Sequence, residues 1–139
     1  MTITLKNQAE IEKIMGVSFQ SVDLYREALT HRRYLHEPRQ RDIAHNERLE
    51  FLGDAVLELV VTDHLFRNFH HPEGQMTAWR SALVKTESLA DVADRLDLGQ
   101  YLLMSRGEAK SGGRTRVALL ANMVEALIGA LYIDQGYEV

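Results

Sequence analysis

The chain has 139 residues, 45% of them apolar and 26% charged, with no cysteine and a net charge of −4. That length suits one domain with a full hydrophobic core, and the lack of cysteine excludes disulfide frameworks and thiolate chemistry. A net negative charge argues against a simple electrostatic nucleic-acid binder, so any such partner has to be met by local basic patches.

The N-terminal stretch MTITLKNQAEIEK has no basic-then-apolar signal pattern. No membrane-spanning apolar run is expected either, so the expected location is cytoplasmic. Residues 8 to 15 predict a short helix ended by Gly16. Ser21 or Asp23 can cap a second helix carrying Leu24, Ala28 and Leu29. From Arg32 to Ala44 the chain is polar and basic and holds Pro38, which predicts a loop.

The next stretch, HNERLEFLGDAVL from His45 to Leu57, starts a long helix expected to reach about Phe69, with Asn46 as its N-cap. Glu47, Glu50 and Asp54, spaced by three and four, share one sector of that helix. On a helical wheel they fall at roughly 0°, 300° and 340°, against roughly 120–220° for Leu49, Leu52, Val56, Leu59 and Val60. Such a face is either a solvated acidic surface or a metal site, because like charges at these spacings repel unless a cation sits among them. Phe51 lies beside the acids, at roughly 40°, where a ring needs an apolar partner surface.

His70, His71, Pro72 and Gly74 then break the chain. His64, His70 and His71 are expected to be solvated or helix-ending rather than metal ligands. Residues 75 to 96 predict a second long helix, with Trp79, Leu83, Val84, Leu89, Val92, Ala93 and Leu96 on one face. Trp79 is expected to anchor a core or an interface. A short apolar segment, Leu98 to Met104, leads into the loop SRGEAKSGGRT. There Lys110, Ser111, Gly112 and Gly113 either bring backbone amides to a phosphate or form a simple turn. Arg32, Arg33, Arg39 and Arg41, and later Arg106, Lys110, Arg114 and Arg116, are either phosphate contacts or ordinary loop charges.

The last element, VALLANMVEALIGALYID from Val117 to Asp134, is apolar apart from Asn122 and Glu125 until Asp134 is reached. A carboxylate embedded in an apolar helix needs a partner, so these two residues are expected to meet Glu50 and Asp54 across a helix–helix contact. No strand alternation or repeat appears, and the expected fold is all-α.

HNERLEFLGDAVL resembles the signature of the ribonuclease III family, and the likeness to bacterial members extends over ALTHRR, PEGQM, GEAKSGG and ANMVEALIGALYID. The resemblance implies the endonuclease-domain fold of that family over residues 1–139. It also implies metal-ligand positions at Glu50, Asp54 and Glu125, with Asn122 where many members carry aspartate. Asp54 and Glu125 would be the catalytic pair. Glu47 and Glu73 match acidic positions lining the family's catalytic valley, and Phe51 matches an aromatic residue that enters a socket on a second subunit.

The function implied by the resemblance is that of a magnesium-dependent endoribonuclease, with manganese able to substitute and no organic cofactor. It would cut double-stranded RNA as a homodimer in RNA processing, leaving 5′-phosphates, 3′-hydroxyls and two-nucleotide 3′ overhangs. The residue chemistry agrees, since hard carboxylate oxygens suit magnesium. Two departures stand out. Asn122 removes one negative charge, with activity expected to survive. The chain stops soon after GYE, where family members usually continue into an RNA-binding domain, so RNA affinity is expected to be low and salt-dependent.

Three other functions compete. A silent module of the same fold would bind RNA or assemble without cutting. An all-α nucleoside triphosphate pyrophosphohydrolase would need an ExxD that Asn122 and Glu125 do not supply. Mini-ribonuclease III has a different signature.

Overall fold

The computed structural model describes residues 7–31 and 45–139, and the Arg32–Ala44 loop expectation lies outside them. Seven helices appear among the described residues: α1 Gln8–Met15, α2 Val22–Ala28, α3 Glu47–Asn68, α4 Glu73–Val84, α5 Thr86–Arg95, α6 Arg106–Lys110 and α7 Val117–Gln135. Two 3₁₀ turns, Leu98–Tyr101 and Gly113–Thr115, complete the order. A single bridge pairs Thr30 with Leu103, and no strand forms among the described residues. The fold is all-α, as the patterning implies.

α7 is the helix around which the others pack. It is apolar on nearly every side and buries Leu120, Ala121, Met123, Val124, Ala126, Leu127, Gly129 and Ala130. A helix of that composition has to be enclosed, and α2, α3 and α5 do so. By length and apolar content it is the one described helix that could cross a membrane, against the expectation that no such run exists. Its burial makes it the core helix of this fold.

α1 ends as its sequence requires, at Gly16 with φ 73°, a left-handed conformation that glycine adopts without strain. α2 follows Ser21, but the Ser21 hydroxyl makes no cap bond. The α2 N-terminus is instead closed by Asp134 of α7, whose carboxylate accepts from the Ser21 N–H at 2.8 Å and the Gln20 N–H at 3.1 Å. The Tyr25 hydroxyl donates to the same carboxylate at 2.7 Å.

Four expectations are corrected. The loop SRGEAKSGGRT holds helix α6, Arg106–Lys110, which Ser105 caps by accepting from the Glu108 N–H. Asn46 precedes α3 but does not cap it. Its side chain is buried and donates to the Ala28 carbonyl at 3.1 Å, tying α3 to α2. The second long helix is in fact two helices, because Lys85 is extended (φ −66°, ψ 157°). The Ser88 hydroxyl donates to the Ala82 carbonyl at 2.7 Å and so satisfies an end-of-helix acceptor. Its apolar residues do not share a face: Leu89, Ala90 and Ala93 are buried, while Leu83, Val92 and Leu96 are exposed. Finally, α3 does not bury its leucine–valine sector. Leu59 and Val60 are exposed, and the core-facing side runs through Leu49, Gly53 and Leu57, at roughly 200–280° on the same wheel. That line borders the acidic sector instead of opposing it.

Candidate active site

The site is built where α3 crosses α7, and two glycines set the distance. A Cβ on Gly53 would stand 1.6 Å from the Glu125 carbonyl oxygen, and one on Gly129 would stand 2.4 Å from the Leu49 carbonyl oxygen. The two backbones therefore touch, which only glycine permits at those positions. Glu50 and Asp54 flank Gly53 on α3, and Asn122 and Glu125 precede Gly129 on α7. The crossing brings these four together, as the isolated polar residues of α7 imply.

Asp54 and Glu125 are close enough to hydrogen-bond through a shared proton. Glu125 is half-buried, and its pKa is pushed up to about 8. Burial is the main cause, followed by the hydrogen bond and charge of Asp54 and then the charge of Glu50. Glu50 is also shifted upward, first by burial and then by Glu47 and Asp54. Among the described residues no lysine or arginine offsets these influences in either case. With its amide turned to suit its neighbours, Asn122 Nδ2 donates to Glu50 Oε1 and to the Ala118 carbonyl, both at 3.2 Å.

The donor set is therefore hard oxygen, with Glu50 and Glu125 half-buried and Asp54 exposed, which fits a divalent cation of the magnesium type. Asp54 and Glu125 form the pair that would hold it. Among the described residues no three His, Asp or Glu side chains already converge at ligand distance, and Glu50 acts on Glu125 through its charge.

The other candidate residues lie elsewhere. Glu47 is exposed at the start of α3 and acts on Glu50 through its charge. Glu73 begins α4 and lines a separate hollow of about 380 Å³ with Thr62, Phe66, His71 and Arg80, away from the acidic pair. Lys110 is exposed at the end of α6. The Ser111 and Gly112 amides already donate to the Gly107 and Ala109 carbonyls, so they do not form an open phosphate cradle. Gly113 is buried, and a Cβ there would meet the Glu108 carbonyl oxygen at 2.7 Å.

Two of the flanking arginines are structural. Arg114 donates to the carbonyls of Gly99, Gln100 and Leu102, and Arg116 pairs with buried Glu108. Arg32, Arg33, Arg39 and Arg41 lie outside the described residues. His71 sits edge-on to Trp79 with centroids 4.8 Å apart, and Phe69 does so at 5.7 Å, so Trp79 anchors the α3–α4 turn.

Phe51 is 83% exposed. Leu59 and Phe66, which sequence reasoning did not single out as a surface, are exposed with it at 56% and 74%. Spacings of eight and seven residues place the three on one side of α3, and that spacing was the available signal.

The ribonuclease-III-like family model matches residues 21–139. The chain belongs to the ribonuclease III family. It is 49% identical over 129 residues to the ribonuclease 3 of Oceanobacillus iheyensis, covering 92% of this chain and 57% of that protein. With the ribonuclease 3 of Geobacillus thermodenitrificans it shares 51% identity over 131 residues, covering 94% of this chain and 53% of that protein. The chain thus spans a little over half the length of these ribonuclease 3 relatives. The nuclease domain of ribonuclease III from Campylobacter jejuni superposes with a TM-score of 0.86 at 40% identity, over 96% of this chain and 87% of that one. A second structure of that domain, described as flexible in the region involved in dimer formation, gives a TM-score of 0.85 at 39% identity and covers 93% of this chain and 87% of that one.

Proposed function

We propose that this chain is the nuclease domain of a magnesium-dependent endoribonuclease that cuts double-stranded RNA as a homodimer in the cytoplasm, with manganese able to replace magnesium. The observation carrying this reading is the Asp54–Glu125 pair: two carboxylates within hydrogen-bonding reach, Glu125 half-buried and Asp54 exposed, with Glu50 beside them and, among the described residues, no lysine or arginine offsetting the charge.

When bound, the metal would activate water and neutralise charge on the scissile phosphate. The residues supply the framework for that. Asp54 and Glu125 are held by the glycine crossing, so their oxygens are placed before substrate arrives. Glu50 adds its charge to that of the pair, and Glu47 acts in turn on Glu50. The exposed Phe51, Leu59 and Phe66 stripe supports the dimer, because it offers an apolar surface that a second copy would cover. Two sites would then face the two strands, giving 5′-phosphate and 3′-hydroxyl ends with two-nucleotide 3′ overhangs. A-form RNA would be recognised by shape, phosphates and 2′-hydroxyls.

The test is cleavage of a long perfect RNA duplex at low salt with magnesium, beside Glu125→Gln. Short products with 3′ overhangs, lost in the variant, are expected. Asn122 favours a second reading, a silent RNA-binding module, and binding without cleavage even with manganese would establish that one instead.

A further inference from the structure

Position 122 carries an amide where the family resemblance implies a carboxylate, and the structure gives that amide a role a carboxylate could not fill. We propose that Asn122 is a positioning residue whose side-chain N–H group holds Glu50, not a metal ligand. Its two polar neighbours, Glu50 Oε1 and the Ala118 carbonyl oxygen, lie at 3.2 Å and both are acceptors. Only the amide nitrogen can satisfy them, so the nitrogen and not the oxygen faces Glu50. An aspartate at this position would offer no donor and would set another negative charge against Glu50, which already has Glu47 and Asp54 as neighbours.

The consequence is a division of labour. Asn122 and the Ala118 carbonyl belong to α7, while Glu50 belongs to α3, so the bond fixes a half-buried carboxylate across the helix crossing. Glu50 then keeps one orientation in the metal-free protein, with Oε2 left open toward Asp54 and Glu125 or a cation between them. The bond itself stands on geometry alone. Its meaning for the cation rests on the proposed nuclease reading.

The test combines a metal-free double-mutant cycle with manganese titration. Asn122→Ala, Glu50→Ala and the double variant are unfolded by urea in chelator, and the loss in the double variant is expected to fall short of the sum of the singles. In ¹⁵N-edited spectra the Asn122 side-chain amide protons are expected to lie downfield in the parent and to move back in Glu50→Ala. By calorimetry, Asn122→Ala should bind Mn²⁺ within threefold of the parent, and Asn122→Asp at least tenfold more tightly.

An additive cycle with unmoved amide signals would overturn the proposal, as would a tenfold loss of Mn²⁺ affinity in Asn122→Ala. Asn122→Leu, which also removes the donor, takes the place of the alanine variant if that one does not fold. A parent protein that binds no Mn²⁺ would overturn the nuclease reading, while the metal-free cycle and the amide spectrum would still decide the bond.

Discussion

Gly53 of α3 lies against the backbone of Glu125 so closely that a Cβ would stand 1.6 Å from the Glu125 carbonyl oxygen. The active-site spacing and the helix packing are thus one contact. Gly53→Ala cannot be absorbed by a rotamer change, because the obstacle is backbone. Overpacking here should cost more than about 3 kcal/mol. Gly129→Ala should behave similarly, with 2.4 Å to the Leu49 carbonyl oxygen. Gly74→Ala is the control: nothing lies within 4 Å of its added Cβ, and α4 should gain about 0.5–1 kcal/mol. Thermal melts of the three variants check the order.

Glu125 makes metal-free stability pH-dependent. Its folded pKa of about 8 lies above the ordinary glutamate value of 4.5, so the folded state binds its proton more tightly than the unfolded chain does. Folded protein therefore holds more protons across that interval, and stability falls as pH rises from about 4.5 to about 8. In chelator, the Tm of the parent should drop through this window more steeply than that of Glu125→Gln. Added magnesium should flatten the parent's profile, since a cation favours the ionised pair.

Asp134 closes the N-terminus of a helix more than a hundred residues away by accepting from Ser21, Gln20 and the Tyr25 hydroxyl. Asp134→Ala should therefore destabilise by about 2–3 kcal/mol in urea titration. Asp134→Asn, which keeps one acceptor oxygen, should recover part of that loss.

Phe51 is so exposed that Phe51→Ala should leave monomer stability almost unchanged. By light scattering at micromolar concentration the parent should be a dimer, and Phe51→Ala should shift toward monomer. An equally dimeric variant would remove Phe51 from the interface.

Breaking the Arg116–Glu108 pair leaves a buried carboxylate short of one partner. Arg116 is half-exposed, so Arg116→Ala should cost about 2 kcal/mol, less than a fully buried pair would. Urea unfolding measures it.

Much of the site could be read from local patterns. Glu50 and Asp54 share a face because the helical period puts them there, and Asn122 and Glu125 stand out because α7 is otherwise apolar. What periodicity could not show was which side of α3 faces the core. Its apolar residues run nearly all the way round, and only a partner helix chooses among them. Gly53 and Gly129 were visible as mid-helix glycines, but their use depends on being opposite each other.

By itself, then, the sequence determined helices α1, α2, α3 and α7, the end of α1 at Gly16, the acidic sector of α3 and the lone polar pair of α7. These depend on short-range geometry, caps and the 3.6-residue period. Only the tertiary structure decided the rest: the glycine crossing, the break at Lys85, Asn46 turned inward, Asp134 capping α2, and the structural roles of Arg114 and Arg116. Most of these turn on a partner distant in the chain, and the Lys85 break and the arginine roles on how hydrogen bonds were allotted among neighbours. Single-helix periodicity carries neither kind of information.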